Sequence, residues 1–178
     1  MHKQKKLLTV IILGGGLAVI ASYAWGILTI TNASDILWGG VPGGMRSISS
    51  IGMLLGALGF FAYTYFILFQ LNPDATRIYG RLGYKVFLIL YALILVPSAL
   101  WLPLTYSAVA SSSNLIAWLA KVDLIIVGAA SICLIFSLLH LEPKQPRSAY
   151  VLAVIGSICF TFQTAFMDAI VWGMYFRI

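Results

Sequence analysis

Charge is what this sequence lacks most. Only 9% of its 178 residues are Asp, Glu, Lys or Arg, against about 25% in an ordinary soluble domain. Acidic residues are the scarcest, 5 against 11 lysines and arginines. Histidine is limited to His2 and His140 and cysteine to Cys133 and Cys159, with no CxxC pair. These shortages exclude a good deal. No cluster of His, Cys, Asp and Glu has metal-ligand spacing, bis-histidine haem ligation has no residues to draw on, and no cofactor is expected. GxSxG, HExxH and a phosphate-binding glycine loop are all missing. Both cysteines sit in apolar runs and read as small packing residues.

What is present is hydrophobicity. With 61% hydrophobic residues and a mean hydropathy of +0.99, the chain falls in the membrane class before any motif is considered. Five apolar runs approach the roughly 20 helical residues that a bilayer core requires. They cover about 7–30, 48–71, 86–106, 114–140 and 150–176, so the expected fold is all-α, one transmembrane domain of five helices over 1–178. The run behind MHKQKK could be a secretory signal, but it continues through Trp25 to Ile30, well past the ~7–15 residues of a signal core, and reads as a retained span. Residues 31–47, TNASDILWGGVPGGMRS, hold four glycines and Pro42. They are expected to form no regular helix, and to serve as a surface turn or as a re-entrant plug over a cavity. Asn32-Ala33-Ser34 fits the glycosylation sequon but abuts the membrane. Pro97 should kink the third span and Pro103 should mark its loosened end. Gly52 and Gly56 form a GxxxG extended by Gly59. Such a face serves internal helix packing or, in the sharper alternative, a homodimer or partner helices.

Basic residues are spread unevenly over the loops. Lys3, Lys5, Lys6, Arg77, Arg81, Lys85, Lys144 and Arg147 lie on the N-terminal side, and only Arg46 and Arg177 on the other. By the positive-inside rule the N-terminus is cytoplasmic and the C-terminus outside. The same placement accounts for the net charge of +6 without nucleic acid as a partner, and membrane lipid is the expected surrounding. A plasma or inner membrane is expected rather than an organelle membrane.

Three charges interrupt the apolar runs: Lys121, Asp123 and Asp168. Counted from the outer ends of their spans, all three lie roughly 10–14 Å deep. Each is costly there unless it faces a partner or water. Trp25, Trp38, Trp101, Trp118 and Trp172 all fall toward the same side. In the fifth span Ser157, Thr161, Thr164 and Asp168 recur at intervals of four, three and four, with Trp172 and Tyr175 continuing the stripe. The candidate ligand-binding residues are therefore Lys121, Asp123 and Asp168 at a polar end, walled by Trp101, Trp118 and Trp172. Lys121 and Asp168 could instead be a buried ion pair locking the last two spans, or Lys121 could snorkel to the interface.

These residues point to a protein that binds or passes a small lipophilic or amphiphilic molecule through an outer-side pocket. Two other classes compete: a non-catalytic subunit of a larger membrane complex, and a membrane enzyme using Asp168 and Lys121 as acid and base on a lipid-like substrate. Aromatic faces beside a carboxylate suit a hydrophobic cation, whereas Lys121 at the same site argues against one. In span count and length alone the chain resembles the translocator-protein type, which binds porphyrins and sterol-like ligands. The tryptophan-rich motifs of that family cannot be placed here, so the resemblance assigns no residue a role.

Overall fold

A chain this poor in charge satisfies its backbone polar groups within helices wherever lipid replaces water, and it is helical almost throughout. The computed structural model describes residues 2–178. The elements are α1 (Lys3–Thr29), the short α2 (Ala33–Trp38), α3 (Gly43–Tyr65) with a π-helical extension Phe66–Gln70, β1 (Arg77–Ile78), α4 (Lys85–Ser111), α5 (Asn114–Leu139), β2 (Leu141–Glu142) and α6 (Arg147–Thr161). α6 runs on into a second π-helical stretch, Phe162–Trp172, and a closing turn Gly173–Tyr175. Five of these, Lys3–Thr29, Gly43–Gln70, Lys85–Ser111, Asn114–Leu139 and Arg147–Tyr175, are long and apolar enough to cross a membrane. This is the architecture of a multi-pass membrane protein.

Two expectations about the loops and helix ends need correction, and one feature had no expectation. The first loop does contain a helix: α2 forms despite the surrounding glycines, which fall just outside it, with Gly39 at φ 52° closing its C-terminus. Pro103 does not end the third span, and α4 continues to Ser111. Within a helix a proline costs one hydrogen bond, here those to the Leu93 and Ala99 carbonyls; the Ser98 and Thr105 hydroxyls bond back to the nearby Ile94 and Trp101 carbonyls at 2.6 and 2.8 Å, not to the freed ones. Finally, the two polar loops at one end meet as a two-residue antiparallel ribbon, Arg77 opposite Glu142 and Ile78 opposite Leu141. Four residues of strand are too few for the period-2 signal that would announce them.

The helices pack as an arc: α1 on α4, α4 on α5, α5 on the last span, and the last span on α3. The face formed by Gly52, Gly56 and Gly59 is filled within the same chain. A Cβ at Gly59 would meet the Gly156 carbonyl oxygen, and one at Gly56 would come within 3.4 Å of Gln163 Cβ. The main core occupies the end of the bundle that carries the N-terminus, where Tyr63, Phe66, Phe87, Tyr91, Leu134 and Leu138 are buried together. Leu8 brings α1 into that cluster. At the opposite end α1 and α3 stand apart.

Candidate functional site

The space between α1 and α3 at the second end is a cavity of about 610 Å³, within the ~300–1,000 Å³ of ordinary small-molecule sites. Tyr23 and Ile27 of α1, Ser49 and Met53 of α3, Trp101 of α4, and Asp168 and Trp172 of the last span line it. The α2 segment covers it, contributing Asp35 and Trp38 among others. Within the loop 31–47, residues 32–35, 37, 38 and 41 line the cavity, so this part of the loop lies over it. Side chains of the other helices hold this part down: Trp172 Nε1 donates to the Leu37 carbonyl at 2.7 Å and the Tyr106 hydroxyl reaches the Ala33 carbonyl at 3.4 Å. Arg46 fixes the stretch after α2 by donating to the Val41 carbonyl at 2.7 Å and the Gly39 carbonyl at 3.4 Å. Ile27 and Met53, both on the wall, are 62% and 43% exposed, so the cavity opens sideways between α1 and α3.

Asp168 is set on this wall by an unusual local winding. In an α-helix residues five apart point about 140° away from each other. The i→i+5 bonding of a π-helix brings them to one side. Here the π-helical stretch lets Gln163 Nε2 donate to Asp168 Oδ1 at 2.8 Å, across five residues of the same helix. The same nitrogen donates to Ser49 Oγ of α3 at 3.1 Å. Gly52, one turn along α3, leaves the space for this amide, since a Cβ there would collide with Gln163 Oε1. Carboxylate, amide and hydroxyl therefore form one chain of polar groups running from the cavity wall into the α3 interface.

The six residues expected to share a site divide into groups. Asp168, Trp101 and Trp172 do line one cavity, with the two indole rings edge-to-face at 5.3 Å between centroids. Lys121 and Trp118 line a second, smaller recess of about 270 Å³ beside Phe176 and Arg177. There Lys121 Nζ sits 5.4 Å above the Trp118 ring, and Trp118 is 64% exposed. Asp123 lines neither cavity; it is buried on α5 with Oδ2 unbonded. The alternative in which Lys121 and Asp168 form a buried ion pair is not realised: the only salt bridge among the described residues joins His2 and Asp74 at 3.3 Å. Equal depth in two neighbouring helices is not equal azimuth, and depth was the quantity that linked them. The acid–base pair needed by an enzyme reading is accordingly not assembled.

The polar stripe of the last span is also redistributed. Thr164 turns to α5, where its hydroxyl donates to Ser131 Oγ at 2.9 Å, while Asp168 turns toward Gln163 and the cavity. A stripe drawn at α-helical spacing bends once the winding changes at Phe162. Gln163, Ser49, Tyr23 and Asp35 join the site without having been expected there. A glutamine inside an apolar span is a detectable oddity in sequence, but its partner Asp168 lies at a spacing that α-helical periodicity rejects. Compared with families of proteins, curated proteins and solved structures, the chain matches none.

Proposed function

We propose that this multi-pass membrane protein binds or passes a small lipophilic or amphiphilic molecule through the cavity between α1 and α3. The N-terminus is cytoplasmic in this reading, the cavity lies in the outer half of a plasma or inner membrane, and α2 is its outer cover. One observation carries the reading. Asp168, a carboxyl group within the last apolar span, lines a cavity of about 610 Å³ whose wall is mostly aromatic and apolar, with Asp35, Ser49 and the loop residues Asn32 and Ser34 as its other polar side chains. Intramembrane ionisable groups are costly to keep and mark ligand or ion paths, and a largely apolar pocket with few oriented polar groups is the usual form of a small-molecule site.

The test is binding of a neutral lipophilic fluorophore, N-phenyl-1-naphthylamine, to the purified protein in nanodiscs. Saturable binding is expected in the native chain, with loss in Met53→Trp, which places bulk at the side opening. Uptake indistinguishable from that of empty nanodiscs would remove the proposal.

A second reading, subunit of a larger membrane complex, is favoured by one feature. α1 buries only Leu8 and Gly26, and a Cβ at Gly14 or Gly16 would meet nothing within 4 Å. Small residues in an open helix face admit a close partner helix. Stoichiometric co-purification of another membrane chain, lost in Gly14→Leu/Gly16→Leu, would support that reading.

A further inference from the structure

The charges around the cavity say which ligands it would take. Asp35 and Asp168 are its two ionisable carboxylates, and no Lys, Arg or His is among the residues that line it. The cations that could have neutralised Asp168 are committed elsewhere. Lys121 lies over Trp118 in the second recess, and Arg46 is directed to two backbone carbonyls with its guanidinium 5.8 Å from the Trp38 ring. Asp168 is held only by a neutral amide, through Oδ1, and no hydrogen bond reaches Oδ2 among the described residues. Both hydrogens of that amide are used, one on Asp168 and one on Ser49. The amide therefore orients the carboxyl group but brings it no positive charge.

We propose that the ligand of this cavity is a lipophilic cation, an alkylated amine or a quaternary ammonium or phosphonium group, paired with Asp168 between the rings of Tyr23, Trp101 and Trp172. This rests on the cavity being a small-molecule site. Each property of the wall fits that class and disfavours the alternatives. Aromatic faces attract a cation that has shed its water. Ile27, Met53 and Met167 supply apolar contact for its substituents, and methionine adapts its shape to varied ones. A lipophilic cation concentrates in the membrane, and the opening between α1 and α3 faces sideways. An anion of the same size finds no positive group on the wall, and a neutral ligand gives the carboxyl no counter-charge, whereas a cation supplies the one that keeps it ionised. Lys121 stood against a cation only as long as it shared the site, and it does not.

The experiment uses the full chain in phosphatidylcholine nanodiscs, whose lipids have no net charge. Displacement of N-phenyl-1-naphthylamine is measured with tetraphenylphosphonium and with tetraphenylborate, a cation and an anion of nearly equal shape. Tetraphenylphosphonium should displace the fluorophore at concentrations at least tenfold below tetraphenylborate. That preference should fall at least tenfold in Asp168→Asn and persist in Asp168→Glu. The asparagine keeps an acceptor oxygen for Gln163, and a native melting temperature checks that the variant is folded. If the fluorophore binds saturably but the two ions compete equally in the native chain, the cation proposal is overturned while the cavity stands as a ligand site. If Asp168→Asn leaves the preference intact, the carboxylate is not the counter-charge and the proposal falls in the same way. If the fluorophore itself does not bind, the cavity reading fails and takes this proposal with it.

Discussion

Gln163 joins the last span to α3 through a single amide nitrogen, which donates to Asp168 of its own helix at 2.8 Å and to Ser49 of α3 at 3.1 Å. Gln163→Leu keeps the volume but leaves a carboxylate oxygen and a hydroxyl without their donor. Unsatisfied buried polar groups cost about 1–3 kcal/mol each, more when charged. Part of this is offset because Gln163 Oε1 is itself buried without a partner. A clear fall in melting temperature in detergent is expected, and an unchanged one would mean that the amide does not hold Asp168 in solution. A second residue-scale prediction follows from the separation of Lys121 and Asp168 into different recesses. Sites without shared partners add within about 0.3–0.5 kcal/mol. Lys121→Met and Asp168→Asn should therefore combine additively in a double-mutant cycle, where a buried pair would show recovery in the double variant. The individual charges were legible in the sequence, since a charge in an apolar run stands out unaided. Their grouping was not, because it depends on which way each helix faces.

At the scale of elements, the glycines separate into two kinds that composition alone treats alike. Gly59 and Gly156 face each other across α3 and α6, where an added Cβ would lie against backbone, within 2.8 Å of the Gly156 carbonyl carbon and within 2.8 Å of the Gly59 oxygen respectively. Backbone cannot rotate away, so Gly59→Ala must push the helices apart, at about the 1–3 kcal/mol of an overpacked core. Gly14→Ala meets nothing within 4 Å and gains helix propensity, up to about 1 kcal/mol in a soluble helix. Thermal melts of the two variants should move in opposite directions. The GxxxG was readable as an internal packing face, and the packing partner on the last span was not. The cover of the cavity was harder still. α2 has six residues, too short for any periodicity, and the Trp172 indole that ties it to the last span lies 135 residues away in sequence. Trp172→Phe removes that hydrogen bond while retaining an aromatic ring. Amide exchange over residues 33–38 should accelerate severalfold, with exchange in α5 unaffected; equal protection would show that the indole does not hold the cover.

The whole molecule has a tight end and an open end, and the distribution of charge follows the same division. The tight end is tied by His2 to Asp74, by Lys5 Nζ donating to the Phe69 carbonyl at 3.4 Å, by the Arg77–Glu142 ribbon and by Tyr79 stacked on His140 at 4.0 Å. It also carries eight of the ten lysines and arginines outside the span interiors, with Arg46 and Arg177 alone at the open end. Lysine and arginine in short loops are retained on the cytoplasmic side, so the tight end is expected inside and the cavity with its α2 cover outside. The prediction is tested with single cysteines in a chain whose Cys133 and Cys159 are replaced by alanine. Ser112, in the turn between α4 and α5, should react as a cysteine with a membrane-impermeant maleimide added to intact cells. Lys144, in the loop before α6, should react only after permeabilisation. The reverse pattern would put the eight cations outside and turn the side opening toward the inner leaflet. The cavity could then load only from the cytoplasmic half of the membrane. Its ligand would have to come from inside the cell, so the orientation decides the side of supply independently of whether the ligand is a cation.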